Sequence, residues 1–352
     1  MKTGLEAGKG ASMKDGPLNP GNLASDLAAI AAFRGEYLGW LGSRILGREA
    51  TLERLLVAFL CEGNVLLEGP PGLGKTSLAK AWSEFLGLGF RRIQFTPDLM
   101  PLDIIGSTMI ARDAEGARSL RFVPGPLFTN VVLGDEINRA TPKTQSAFLE
   151  AMEEKCVTFL GETRSLPSPF FVIATQNPIE LEGTYPLPEA QIDRFLMKLF
   201  FDMPDFLTLR SILDSRDRER RGSPAGREAS LSILETFRRA SKEIVVADDL
   251  RNFIVRLVIE THPDKSSVEA VKKYVRFGAS PRCALGLLAA AKAKAALDGR
   301  VAASFEDVSL LFPDIANHRV LLEFEAESDG VAVAAILEAV LSAVRKDYLG
   351  TA

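Results

Sequence analysis

Histidine and cysteine are scarce in this 352-residue chain: two of the first and three of the second. His262 and His318 stand far apart, so no ligand cluster exists for a transition-metal site and no His-based catalytic dyad has local support. Cys61, Cys156 and Cys283 are widely separated and odd in number, which argues against a disulfide framework or zinc knuckle and leaves them as buried thiols. Long apolar runs are missing too. The longest early one, Leu27 to Phe33, is too short to span a bilayer, and the N-terminus lacks a basic-then-apolar signal pattern, so the expected location is the cytoplasm. Nor is there an excess of positive charge: the formal net charge of -4 argues against a nucleic-acid backbone as the main partner. With 25% charged and 47% hydrophobic residues, the chain has a globular composition and enough length for two domains.

What the chain does have is GPPGLGKT, Gly69 to Thr76, between an apolar run, Val65-Leu66-Leu67, and a helical pattern starting near Ser77. This is a complete G-x-x-x-x-G-K-[ST] phosphate loop. In the loop Gly69, Pro70, Pro71, Gly72, Leu73 and Gly74, the glycines let successive backbone N–H groups turn inward around phosphates. Lys75 reaches the terminal phosphates, Thr76 offers a hydroxyl to Mg²⁺, and Ser77 lies in the first helical turn, where the dipole favours anions. The expected ligands are therefore a nucleoside triphosphate and Mg²⁺.

Residues 1–21, rich in Gly, Lys, Asn and Pro without a periodic apolar face, read as a disordered tail. An α/β nucleotide-binding domain is expected over 22–204. Its strand candidates are Val65 to Glu68, Arg92 to Thr96, Val131 to Asp135, Phe170 to Thr175 and Leu196 to Phe201, alternating with helices as in a parallel sheet. Two stretches break the rhythm and read as β-hairpins: Thr108 to Val123, with a polar tip Asp113 to Gly116, and Cys156 to Leu166 around Gly161-Glu162. Residues 205–352 show only helical patterns, including Asp248 to Thr261, Ser280 to Asp298 and Ser304 to Leu311, the last opening with a Ser-x-x-Asp capping signature. The mixed-charge run Arg216 to Arg221 reads as a solvated helix face.

Val131 to Asp135 ends in a carboxylate followed by another, Glu136, and strand alternation would send the two in different directions. That suits two tasks: Asp135 holding Mg²⁺ through its water shell and Glu136 polarising the water that attacks the γ-phosphate. Asn177, past the strand Phe170 to Thr175, can position the same water or simply turn the chain. Arg194, taken alone, reads as a surface salt bridge. Arg282 sits in the first turn of a helix, where a cation opposes the dipole, which fits a role in meeting an anion.

In order along the chain, GPPGLGKT, LGDEINRATPKTQSAFLEAMEE, ATQNPIELEGTYPLPEAQIDRF and GASPR resemble the AAA+ ATPases and, within them, the MoxR family, from about Leu46 to Leu341. The resemblance implies a P-loop parallel-sheet domain with β-hairpin insertions and a smaller all-helical lid, assembled as a homo-oligomeric, usually hexameric, ring with ATP between subunits. It makes Lys75 and Thr76 Walker A, Asp135 and Glu136 Walker B, Asn177 sensor 1, Arg194 an arginine finger on the neighbour's ATP and Arg282 sensor 2. Leu46 and Gly47 would pack by the adenine. Gly134 and Asn317, just before His318-Arg319, depart from many relatives. The implied activity is chaperone-like remodelling or maturation of protein clients, often with a partner carrying a von Willebrand factor A (VWA) domain. A DNA motor of the helicase-loader or branch-migration type shares the ATP site. Against it stand Asp113, Glu115 and Glu162 near the hairpin tips; Arg112, Arg118, Arg121 and Arg164 keep it open. A magnesium-chelatase-like metal-insertion ATPase and a non-hydrolysing nucleotide switch are further alternatives.

Overall fold

The structure, a computed structural model, describes residues 21–112, 118–178, 184–214 and 223–349. Residues 1–20 of the expected tail, the hairpin tip Asp113 to Gly116 and the run Arg216 to Arg221 lie outside the described residues, while Gly21, also expected in the tail, opens a helix. The chain runs through α1 (Gly21–Gly42), α2 (Glu49–Leu60), β1 (Val65–Glu68), α3 (Lys75–Leu86), β2 (Phe90–Gln94) and α4 (Pro101–Ile105). Next come β3 (Gly106–Arg112), β4 (Arg118–Pro124), β5 (Val131–Asp135), α5 (Pro142–Glu154), β6 (Cys156–Phe159), β7 (Glu162–Ser165), β8 (Phe171–Gln176), α6 (Glu189–Ile192) and β9 (Met197–Phe200). Then follow α7 (Phe206–Asp214), α8 (Gly226–Glu243), α9 (Asp248–Glu260), α10 (Glu269–Tyr274), β10 (Val275–Phe277), α11 (Pro281–Leu297), α12 (Phe305–Ala316), β11 (Leu321–Leu322), α13 (Phe324–Ser328) and α14 (Val333–Leu349).

Five strands form one parallel sheet in the order β2-β5-β8-β1-β9. Its central strands are apolar throughout because both faces are covered. Val65, Leu67, Val131, Leu133, Phe171 and Ile173 pack on one side, while Leu66, Val132, Val172 and Ala174 pack on the other with Phe148 and Met152 of α5. At roughly 1.5–3 kcal/mol for each fully buried aliphatic side chain, this two-sided burial is what fixes the strand register. The edge strand β2 starts two residues earlier than expected, since pairing of Phe90 with Val131 continues the ladder N-terminally.

Gly134 has a packing reason. A Cβ there would lie 2.8 Å from Phe148 Cζ and 3.2 Å from Phe95 Cε2, and those two rings meet edge to face at 5.1 Å. The glycine lets α5 settle directly on the strand that carries the acidic pair.

Both hairpins form as expected, β3 with β4 and β6 with β7, each antiparallel. They touch one another: the Phe122 and Phe159 rings are 5.7 Å apart, and the Arg164 guanidinium lies over Phe122 at 4.4 Å.

The helices after residue 223 are a lid in sequence but not a detached body. One apolar core runs from the sheet face through Trp82 and Phe85 of α3 into Phe237, Leu287, Phe312 and Val340. α1 packs against α2 and α3 and also against α8 and α11. Two details differ from the sequence reading. β10 and β11 form a small antiparallel pair where only helix was expected. α12 extends past Leu311 to Ala316 with Pro313 inside it, its start held as expected by a reciprocal box: Ser304 N donates to Asp307 Oδ2 at 2.8 Å and Asp307 N to Ser304 Oγ at 3.3 Å.

Candidate active site

The phosphate loop follows from its glycines. Gly72 and Gly74 have φ of 81° and 93°, the left-handed region that a side chain with a Cβ resists, and they turn the chain from β1 into α3. Gly69 is held by lack of space: a Cβ there would sit 2.2 Å from the Phe201 carbonyl oxygen. α3 then buries Trp82 against Phe59 and Phe171, which locks the helix behind the loop.

A cavity of about 320 Å³ opens over this turn, lined by Pro71, Gly72, Gly74, Lys75, Thr76 and Ser77, and by Asp135, Glu136, Asn177 and Arg92. Lys75 is buried and its ammonium donates to the Gly69 carbonyl at 2.6 Å. Burial pushes its pKa down, opposed by the charges of Asp135, Glu136 and Glu68. The Thr76 hydroxyl lies 3.5 Å from Asp135 Oδ2, and Thr175 donates to Asp135 Oδ1 at 2.6 Å.

Strand alternation does not separate the two carboxylates as expected. The strand ends at Asp135, and Glu136 takes φ 59°, a conformation costing roughly 1–2 kcal/mol for a residue with a Cβ. Its backbone N–H donates to Thr175 Oγ1 at 2.9 Å, and its carboxylate turns back to the same cavity. There it accepts from Gln94 Nε2 at 2.8 Å and from Arg139 Nη1 at 3.0 Å. Arg92, from the edge strand, pairs with Asp135 through Nε at 2.9 Å and Nη2 at 2.7 Å. Sequence reasoning missed Arg92, Gln94, Arg139 and Thr175. The available signal was the i, i+2 spacing of Arg92 and Gln94, which puts two polar side chains on one face of a strand.

A second cavity, also about 320 Å³, shares Gly72, Gly74 and Ser77 with the first and is lined by Ile45, Leu46, Leu73, Phe201 and residues of α7. Leu46 thus meets the loop on its apolar side. Gly47 lines neither cavity; its φ of 67° makes the turn, with Thr208 2.4 Å from where a Cβ would be. Gly69 and Pro70 also line neither.

Arg194 and Arg282 are not brought to this cavity. They converge elsewhere, on Glu153 at the end of α5: Arg194 Nη1 lies 2.5 Å from Glu153 Oε2 and Arg282 Nη2 2.8 Å from Oε1. Arg282 is also 3.6 Å from Asp193, so the anions it meets are carboxylates of its own chain. Arg194 faces a separate polar cavity of about 500 Å³ with Ser146, Glu150, Glu153 and Gln191, and its Nε is buried without a hydrogen-bond partner.

The described residues hold no group of three or more His, Cys, Asp or Glu able to bind a metal, and none of their helices is long and apolar enough to cross a membrane. Of the three cysteines expected to be buried, Cys283 is, while Cys61 and Cys156 are half-buried; desolvation pushes the thiols of Cys61 and Cys283 up to about 12.

Comparison with known proteins matches residues 64–197 to the ATPase family associated with various cellular activities and residues 268–340 to the AAA lid domain. The chain is 43% identical over 295 residues to the uncharacterized protein YeaC of Bacillus subtilis, covering 82% of this chain and 87% of that one. It is 42% identical to chaperone MoxR1 of Mycobacterium tuberculosis, covering 85% and 78%, and 30% identical to protein MoxR of Methylorubrum extorquens, covering 80% and 86%. A crystal structure from Cytophaga hutchinsonii superposes with a TM-score of 0.80 at 36% identity, covering 90% of this chain and 96% of that one.

Proposed function

Because the chain belongs to the MoxR family of AAA+ ATPases, we propose that it acts as a ring, hexameric by resemblance, whose ATP hydrolysis remodels or matures a protein client together with a VWA-domain partner. The work is assigned to the cytoplasm, and the chain is divided functionally into an ATP-binding part over 22–204 and a lid over 205–352.

The observation that carries this reading is the division of the catalytic set. Lys75, Thr76, Asp135, Glu136 and Asn177 share one cavity, while Arg194 sits outside it, at the separate polar cavity beside Glu153. A neighbour's arginine is what such a divided set lacks, and a cation supplied in trans stabilises charge on the transferring phosphoryl group, making turnover conditional on assembly.

ATP and Mg²⁺ fit the residues present. Lys75 is a buried cation whose hydrogen bond in this chain goes to a neutral carbonyl, so phosphate oxygens suit it. Thr76 and Asp135 are hard oxygen donors of the kind Mg²⁺ prefers. They would hold the ion, which supplies charge neutralisation at the phosphates. Glu136 accepts a proton from the attacking water, and Gln94 and Arg139 must give way for its carboxylate to do so. Asn177, just past the neighbouring strand β8, orients that water, and Leu46 with Leu73 offers an apolar wall to the base. Exposed Met109, Ile110 and Leu120 on the β3–β4 hairpin suit a protein client better than a phosphate backbone, although Arg118 and Arg121 share that surface.

The test is ATPase rate against protein concentration, for the wild type and for Lys75→Ala mixed with Arg194→Ala. Activity that rises with assembly and is partly recovered in the mixture supports the ring. A concentration-independent rate untouched by Arg194→Ala sinks it.

A further inference from the structure

The lid segment Asn317-His318-Arg319, just past α12, grips the stretch of chain that carries Arg194. Arg319 is 7% exposed yet charged, a costly placement unless its donors are satisfied. A guanidinium has five N–H donors, and all are used here. Nε donates to Asp193 Oδ1 at 2.8 Å; Nη2 donates to the carbonyls of Asp193 at 3.1 Å and Phe195 at 2.6 Å; Nη1 donates to the carbonyls of Leu196 at 3.2 Å and Ile315. The neighbours of Arg319 extend the grip. His318 Nε2 donates to the Phe195 carbonyl at 3.0 Å and Asn317 Nδ2 to the Lys198 carbonyl at 2.9 Å. Ser280, at the start of α11, donates to the Asp193 carboxylate at 2.9 Å.

The carbonyls on both sides of Arg194 are therefore fixed by lid side chains, while the Arg194 guanidinium projects to Glu153 and its polar cavity. Simple filling of the gap between α12 and β9 would need only apolar groups. A planar five-donor fork instead fixes three carbonyls and one carboxylate of a single segment in direction as well as place, which lysine with its three donors on a flexible stem cannot reproduce.

We propose that Arg319 is a positioning residue for Arg194: through Asp193 and the carbonyls of residues 193, 195 and 196 it aims the arginine that one subunit presents to its neighbour's nucleotide, so that lid placement sets finger placement. The inference rests on the in-trans reading of Arg194 given above. It concerns no contact between Arg319 and ATP, since Arg319 lines neither loop cavity.

The experiment places Arg319→Lys in one member at a time of the complementing pair Lys75→Ala, which contributes an intact finger, and Arg194→Ala, which contributes an intact loop. Recovered turnover should fall about tenfold when Arg319→Lys is in the finger-contributing subunit and stay near the unmodified pair when it is in the loop-contributing one. Binding of a fluorescent ATP analogue by Arg319→Lys alone should be unchanged. Equal loss in both placements means a general structural role and overturns the proposal, as does no loss in either. If Arg319→Lys does not fold, Asp193→Asn, which keeps the shape and removes the charge, replaces it with the same side-selective loss expected and the same outcomes overturning it. If the unmodified pair fails to recover, the in-trans reading fails on its own. Positioning is then judged on the single variant, where a lower kcat at unchanged nucleotide affinity supports it and an unchanged kcat overturns it.

Discussion

The loop cavity and the Arg194–Glu153–Arg282 cluster are both built from charged residues, yet their states of readiness differ. In the cavity the cation Lys75 is buried against neutral backbone, and the carboxylates converge from β5 with their partners on β2 and β8. In the cluster the cations already have anions, because Glu153 serves both arginines and Asp193 serves Arg282 and Arg319. A site whose carboxylates are held by Arg92 and Arg139 but whose buried Lys75 rests on a neutral carbonyl is set to take an anionic ligand. One whose charges are internally paired must exchange partners before it acts, and that exchange is where assembly can exert control.

The sharpest way to break this comparison is Arg194→Ala. If the cluster completes a neighbour's site, kcat should fall on the order of 10³-fold with ATP affinity unchanged, measured by steady-state turnover and equilibrium binding. Affinity falling in step with kcat would instead place Arg194 in ground-state binding. On the cavity side, Glu136→Gln should lower kcat roughly 10²-fold or more and leave nucleotide binding intact, since an amide keeps the shape but accepts no proton; undiminished turnover would remove Glu136 from the chemistry. Gly134→Ala tests whether the cavity depends on the packing behind it. The added methyl meets Phe148 at 2.8 Å and should cost about 1–3 kcal/mol in denaturant unfolding, and no cost would mean the two rings move aside freely.

The smallest effect belongs to the cluster's support. Burial, with the nearby charges of Arg319 and Lys198, holds His318 well below its ordinary pKa of 6.5, against the hydrogen bond to Phe195. The unfolded chain then binds the proton that the folded one excludes, so stability is full above about pH 6.5 and declines as pH falls below it, by at most about 1.4 kcal/mol per pH unit. His318→Gln should flatten the unfolding free energy between pH 7 and 5. An unchanged slope would assign acid sensitivity to other groups.

Much of the fold was legible because its signals are local. Val65 to Glu68 and Val131 to Asp135 are strands with those same bounds, and α3 ends before Gly87, whose φ is 62°. Such features depend on a few neighbouring residues: apolar runs between breakers, and a glycine where the chain turns left-handed. The cavity was legible in its loop and acidic pair for the same reason. It was less legible in Arg92, Gln94, Arg139 and Thr175: the i, i+2 spacing puts Arg92 and Gln94 on one strand face without saying that β2 lies beside β5, and Arg139 and Thr175 reach the pair from a short helical turn and a neighbouring strand.

The sequence by itself determined that this chain has a phosphate loop, an acidic strand end and a parallel-sheet frame, since glycine geometry, helix dipole and two-sided burial follow from residue type and order. Only the tertiary structure decided that Glu136 turns back to share the cavity with Asp135, that Gly134 makes room for Phe148, and that lid residues Asn317, His318 and Arg319 hold the segment of Arg194. These relations join residues that are distant in sequence or reversed by a single backbone dihedral. They come into being when the sheet and the helices close on one core and buried polar groups must find partners there.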